Sequence, residues 1–145
     1  LQAVASGLAM FEAVAGRSRV LACVHAGQAI TLIDDTYNAN PDSVRAAIEV
    51  LADLPGPHTL ILGDMGEVGQ QGPAFHAEVG AYARQQGVEQ LWTLGDLCAH
   101  SAAAYGAGAR HFASMDQLVA ALPGARGDRV LCSAHRQRKI GALRV

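Results

Sequence analysis

Apolar residues along this chain recur at two spacings, and the places where one gives way to the other mark the edges of its elements. Val4, Leu8 and Phe11 stand at helical intervals and predict a short helix over residues 1–11. Residues 17–25 alternate into a strand, Ala26-Gly27-Gln28 supplies a turn, and residues 29–34 read as the returning strand of a hairpin. Val44, Ala47, Ile48, Leu51 and Leu54 then fall on one face of a helix over 41–54. Asn40 suits its N-cap and Pro41 its first turn, and Pro55-Gly56-Pro57 stops it.

Residues 58–63 form a short apolar run, as a strand buried on both faces should. A glycine-rich loop covers 64–72. A helix over 73–86 follows, with Phe75, Val79 and Tyr82 inward and His76 on the exposed or half-buried side. The pattern continues as strand 90–95, helix 96–105, strand 110–113, helix 115–122, strand 128–132 and helix 134–143. Strict alternation after the hairpin predicts right-handed crossovers. The fold class is therefore α/β, with a mostly parallel sheet of about six strands, covered on both faces, and one antiparallel strand from the hairpin. No repeat, low-complexity tract or linker divides the chain, so a single domain is expected over 1–145.

Composition narrows the function classes. A length of 145 residues, half of them apolar and 17% charged, supports a buried core and argues against disorder. The net charge of −2 with no basic run speaks against nucleic acid as a partner, and no apolar stretch approaches membrane-spanning length. The chain opens on Leu1 without a signal-peptide pattern and is read as a piece of a longer protein. Cys23, Cys98 and Cys132 are widely spaced in apolar contexts, which predicts reduced, buried thiols in a cytosolic protein. Lys139 is the single lysine.

Neither GxxxxGK[ST] nor GxGxxG after a strand is present, so a triphosphate cannot be held by the usual device and any nucleotide role is an accessory one. The richest segment is 31–41, where an apolar run ends in Asp34-Asp35-Thr36-Tyr37-Asn38-Ala39-Asn40-Pro41. In open α/β sheets, ligands bind beyond such strand ends. The two carboxylates either bond the amides of the next helix or hold a ribose hydroxyl or an arginine. Asn38 suits a left-handed turn or a ligand contact, Asn40 a cap, and Tyr37 packs or stacks on a base. Gly63-Asp64-Met65-Gly66-Glu67 is a second acidic strand end, placing Asp64 and Glu67 toward the same crevice. No Ser-His-Asp or Cys-His set and no metal cluster assembles by spacing. Cations at 136–139 follow the last strand, as solvated surface or as an anion site.

The run Asp34-Asp-Thr-Tyr-Asn-Ala-Asn-Pro-Asp-Ser43 before an apolar helix resembles the signature of the C-terminal domain of the Mur ligases. Gly7, Leu8, Phe11, Gly16 and Arg17 resemble that domain's opening. Leu62-Gly-Asp-Met-Gly-Glu-Val-Gly69 with His76 and Gly80 resembles its second strand-end loop and helix, and residues 88–95 its next strand. The resemblance implies a Rossmann-like three-layer domain, the last of three in a bacterial cytoplasmic enzyme. The N-terminal and central domains would be its partners, the central one holding ATP and Mg2+. The two loops most resemble the member that adds D-alanyl-D-alanine to UDP-N-acetylmuramoyl-tripeptide through an acyl phosphate. It further implies that Arg17 approaches the γ-phosphate on closure, that Asp35 holds the ribose or orients that arginine, and that Tyr37 and Asn38 line the nucleotide side. Asp64 and Arg136 would serve the incoming dipeptide. Where the family reads Lys-Gly-Ser-Arg after the last strand, this chain has Ser133-Ala-His-Arg136 and keeps only the arginine. Other readings stay open: a free-standing nucleotide- or phosphate-binding module, the equivalent domain of another Mur ligase or of folylpolyglutamate synthetase, and a degenerate domain kept for protein contacts.

Overall fold

A computed structural model describes residues 14–25, 27–124 and 129–133. The helices expected over 1–11 and 134–143, with the candidate Arg136 and with Lys139, lie outside the described residues. The hairpin is formed by β1 (Arg19–His25) and β2 (Gln28–Asp35), antiparallel, with Arg19 opposite Asp34. β1 starts two residues later than the alternation suggested. Gly16 and Ser18 take positive φ (+76° and +49°), which breaks the extended run and leaves Arg17 in a turn.

After β2 come α1 (Pro41–Ala52), β3 (His58–Gly63), α2 (Gly72–Gln85), β4 (Gln90–Leu94), α3 (Cys98–Tyr105), β5 (Ala109–Phe112), α4 (Met115–Ala121) and β6 (Arg129–Ser133). The sheet order is β1-β2-β6-β3-β4-β5, parallel everywhere except β1–β2. This is the mixed, mostly parallel six-stranded sheet that the alternation predicts. Because β6 inserts between β2 and β3, the crossover into it runs back across the sheet. Helices α1, α2 and α3 accordingly pack on one face with Ile33, Leu60, Leu62, Leu91 and Leu131. Helix α4 packs on the other through Leu118, against Leu32, Ile61, Trp92, Phe112 and Val130.

Local chemistry fixes α1 firmly. Asn40 Oδ1 accepts from the Ser43 amide at 2.9 Å while Ser43 Oγ accepts from the Asn40 amide at 3.1 Å, a reciprocal cap before Pro41. Val44, Ile48 and Leu51 are buried on the expected face, and the helix ends at Ala52. In α2 the expected residues Phe75, Val79 and Tyr82 do pack against the core, but together they are not its most buried face. Its buried stripe is Gly72, His76, Val79, Gly80 and Ala83, with Phe75 and Tyr82 only partly buried. His76 is wholly buried, not half-exposed. Small residues bring α3 close here: a Cβ on Gly80 would lie 2.1 Å from the Ser101 carbonyl oxygen. Among the described residues no helix is long and apolar enough to cross a membrane.

Candidate functional site

Antiparallel pairing sets the start of β1 beside the end of β2, so the turn before β1 meets the loop after β2. Their junction forms an open concavity of about 340 Å³ at the carboxyl edge of β2. It is lined by Gly16, Arg17, Ser18, Asp35, Tyr37, Asn38, Asn40 and Ser43. The structure thus brings together Arg17, Asp35, Tyr37 and Asn38 of the sequence candidates, and adds Gly16, Ser18 and Ser43.

The two carboxylates do different things, and neither bonds the amides of α1. Asp34 accepts from the amides of Gly16 (3.1 Å) and Thr36 (3.2 Å) and from the Thr36 hydroxyl (2.7 Å). Asp35 accepts from the Ser18 amide at 3.0 Å and the Ser18 hydroxyl at 3.1 Å. The Tyr37 amide donates to the Gly16 carbonyl at 2.8 Å, closing turn against loop. Glycine at 16 is required both by its positive φ and by contact, since a Cβ there would stand 2.8 Å from the Tyr37 nitrogen. Above this frame the Arg17 guanidinium lies over the Tyr37 ring, 4.0 Å from its centroid. A cation, an aromatic face, a carboxylate and an exposed carboxamide in one open cavity suit an anionic ligand bearing hydroxyl groups.

Asp64 is not part of this cavity. Its Oδ1 accepts from the Cys98 amide at 2.9 Å, and its carboxylate lies where Gly95, at φ +117°, leaves no room for a Cβ. Exposed Glu67, also at positive φ, does not line the cavity either. The loop after β3 is nonetheless tied to the first, through the Gly66 amide donating to the Ala39 carbonyl at 3.0 Å.

Folding also assembles a cluster that spacing did not reveal. One ligand-type atom from each of Asp64, His76 and Cys98 lies within 4.8 Å of the others. The imidazole is already committed: Nε2 accepts from the Met65 amide at 3.0 Å, and Nδ1 donates to the Gly72 carbonyl at 2.7 Å. Burial holds its pKa below the ordinary value of 6.5, against a smaller raising effect of the Gly72 carbonyl. A neutral histidine using both nitrogens is a brace between the 64–66 loop and α2. Cys98 and Cys132 are buried as expected, and Cys23 is half-buried. Burial above all, with the Asp34 charge adding, pushes the Cys132 thiol up to about 12. Ser133, where the last strand departs from the resembling motif, is buried at the register position of Asp35 on one side and Leu62 on the other.

Comparison with known proteins bears on the family and the fold. The chain is 38% identical over 122 residues to the UDP-N-acetylmuramoyl-tripeptide--D-alanyl-D-alanine ligase of Escherichia coli K12, covering 84% of this chain and 26% of that protein. It is 37% identical over 123 residues to the ligase of the same name from Synechocystis, covering 81% and 27%. The chain therefore spans about a quarter of the length of these curated relatives. Among solved structures, MurF from Acinetobacter baumannii superposes with a TM-score of 0.84 at 22% identity, over 99% of this chain and 32% of that one. MurF ligase from Thermotoga maritima in complex with ADP gives 0.73 at 21% identity, over 88% and 29%. These two likenesses show the fold. The family model of the Mur ligase, glutamate ligase domain, matches residues 16–136, and the chain belongs to that family.

Proposed function

We propose that this chain is the C-terminal domain of a three-domain, ATP-dependent ligase that joins D-alanyl-D-alanine to UDP-N-acetylmuramoyl-tripeptide in the bacterial cytoplasm. One observation carries the reading: identity of 38% across most of the chain to a protein of that activity. The concavity at the end of β2 supplies the chemistry. Its volume of about 340 Å³ is at the small end for ligand pockets, so it fits one part of a nucleotide, with the remainder held by the central domain. No phosphate loop occurs in the sequence, consistent with that division.

In this reading the domain swings closed and Arg17 meets the phosphates, where a positioned cation stabilises negative charge developing during acyl-phosphate formation. Tyr37 and Asn38 line the nucleotide side and Asp35 accepts from a ribose hydroxyl or keeps the Arg17 turn in place. Asp64 and Arg136 act on the side of the incoming dipeptide. Closure also expels water from a phosphorylated intermediate that water would hydrolyse. Mg2+ is assigned to the central domain. The potential metal-ligand group found among the described residues, Asp64, His76 and Cys98, is not the all-oxygen set that Mg2+ takes, and its imidazole is engaged.

The test is ligation by the full-length protein with ATP, UDP-N-acetylmuramoyl-tripeptide and D-alanyl-D-alanine. Formation of the UDP-pentapeptide is the expected result, and absence of product sinks the reading. Asp35→Ala in the same protein should lower turnover while the protein stays folded. Unchanged turnover would return Asp35 to a purely structural role.

A further inference from the structure

Asp34 does not line the concavity, yet it ties together the two segments that carry Arg17 and Tyr37. Its Oδ2 takes the Gly16 amide, and its Oδ1 takes both the amide and the hydroxyl of Thr36. Gly16 directly precedes Arg17, and Thr36 directly precedes Tyr37. One carboxylate therefore fixes the residue before the cation and the residue before the ring on which that cation lies. The turn it fixes needs holding. Ser18, a non-glycine residue at positive φ, lies in the same turn and is held by Asp35. The turn thus depends on both carboxylates, Asp34 at Gly16 and Asp35 at Ser18. Bonds from amide or hydroxyl donors to a carboxylate are stronger than neutral ones and suit that task.

We propose that Asp34 is a positioning residue for the ligation step, acting through Arg17 and Tyr37 without touching the nucleotide. The proposal rests on the reading of Arg17 given above. Asparagine at 34 keeps one acceptor, enough for Thr36, but turns an NH2 group against the Gly16 amide. Asp34→Asn thus releases the Arg17 side of the brace selectively. Thr36→Val removes only the hydroxyl bond and leaves the side-chain shape nearly unchanged.

The experiment is a double-mutant cycle in the full-length ligase, reading kcat, the KM values for ATP and D-alanyl-D-alanine, and thermal midpoints. Arg17→Ala should lower kcat. Asp34→Asn should lower kcat about tenfold, as a misplaced catalytic group does, with the KM for D-alanyl-D-alanine changed by less than about twofold. Arg17→Ala/Asp34→Asn should be no slower than Arg17→Ala alone, because residues acting through one group are not additive. Wild-type turnover in Asp34→Asn, or losses that multiply in the double variant, would overturn the proposal while leaving the role of Arg17 intact. Unchanged turnover in Arg17→Ala would instead refute the reading of Arg17, and the proposal with it. Should Asp34→Asn not fold, Thr36→Val replaces it in the cycle, with a smaller loss of kcat expected that again vanishes in the Arg17→Ala background. A loss that persists there would overturn the proposal.

Discussion

Gly80→Ala is the sharpest test of how the helical layer is packed. Alanine is favoured over glycine inside a helix by about 1 kcal/mol, so propensity alone predicts a more stable protein. Packing predicts the opposite. The new Cβ would meet the Ser101 carbonyl oxygen at 2.1 Å and the Ser101 carbonyl carbon and Cα at 2.7 Å. All three are backbone atoms of α3, which no rotamer change can move. A close carbon–oxygen contact needs about 3.3 Å, so α3 must retreat by roughly 1 Å. A gap of that size forfeits up to half of each dispersion contact of 0.1–0.2 kcal/mol, and across about 50 atom pairs this is roughly 3 kcal/mol. The hydrogen bond from Ser101 Oγ to the His76 carbonyl, 2.8 Å, is stretched as well and adds about 1 kcal/mol. Set against the gain in propensity, the net loss is about 3 kcal/mol. With a urea m-value near ~2 kcal/mol/M, the midpoint should fall by about 1.5 M. The control is Gly72→Ala, where a Cβ at 3.1–3.2 Å meets only the side-chain ends of Val68 and Leu97, which can turn aside. It should lie within about 0.5 kcal/mol of wild type. A Gly80→Ala protein as stable as wild type would refute the close approach of α2 and α3.

Three further expectations follow from single side chains. Asn40→Ala removes the acceptor of the Ser43 amide and should cost about 1 kcal/mol by urea denaturation; an unchanged midpoint would show that the cap does no such work. Because burial depresses the His76 pKa, the unfolded chain binds a proton more readily below pH 6.5, so stability should fall as pH drops from that value toward the folded pKa. The slope is up to ~1.4 kcal/mol per pH unit and should flatten in His76→Asn; identical pH profiles would refute the brace. Finally, a thiol buried and pushed up to about 12 should leave Cys132 unalkylated at pH 8 until the protein unfolds, with half-buried Cys23 reacting first, as peptide mass mapping would show.

The sheet was legible because alternation and helical spacing each repeat over many residues, and the meeting of Arg17 with Tyr37 was half-legible. The antiparallel register with Arg19 opposite Asp34 sets Ser18 beside Asp35, so the hairpin alone brings the start of β1 to the end of β2. What the pattern could not show was which way the carboxylates bond. Amides at a helix start are the usual partners for acids at a strand end, but Asn40 and Ser43 already satisfy α1. That left Asp34 and Asp35 to the preceding turn. His76 was misplaced for a different reason. Periodicity weighs Phe75 and Tyr82 as the apolar face of α2, whereas the closest packing uses the smallest residues. Asp64 likewise sits at a strand end in sequence, yet folding turns it toward the Cys98 amide, away from the first cavity.

The manner in which Arg17 is held bears on what it can do. The hairpin brings Asp34 and Asp35 to the turn that carries Arg17, and an ion pair with either would aim the guanidinium but also cancel its charge. Among the described residues the ion pairs are instead Arg45–Glu78 and His58–Glu89, both remote from the cavity. The carboxylates are occupied with backbone and hydroxyl donors, and Arg17 is aimed by the Tyr37 ring. An exposed cation–π contact is worth only about 0.5–1 kcal/mol and leaves the full positive charge in place. Such an arginine is directed without being neutralised. It can turn from the ring to a phosphate at little cost, whereas a salt-bridged one would first have to break a charged hydrogen bond. The acids thus build the turn, the phenol ring orients the cation, and under the proposed function its charge stays available for a nucleotide phosphate.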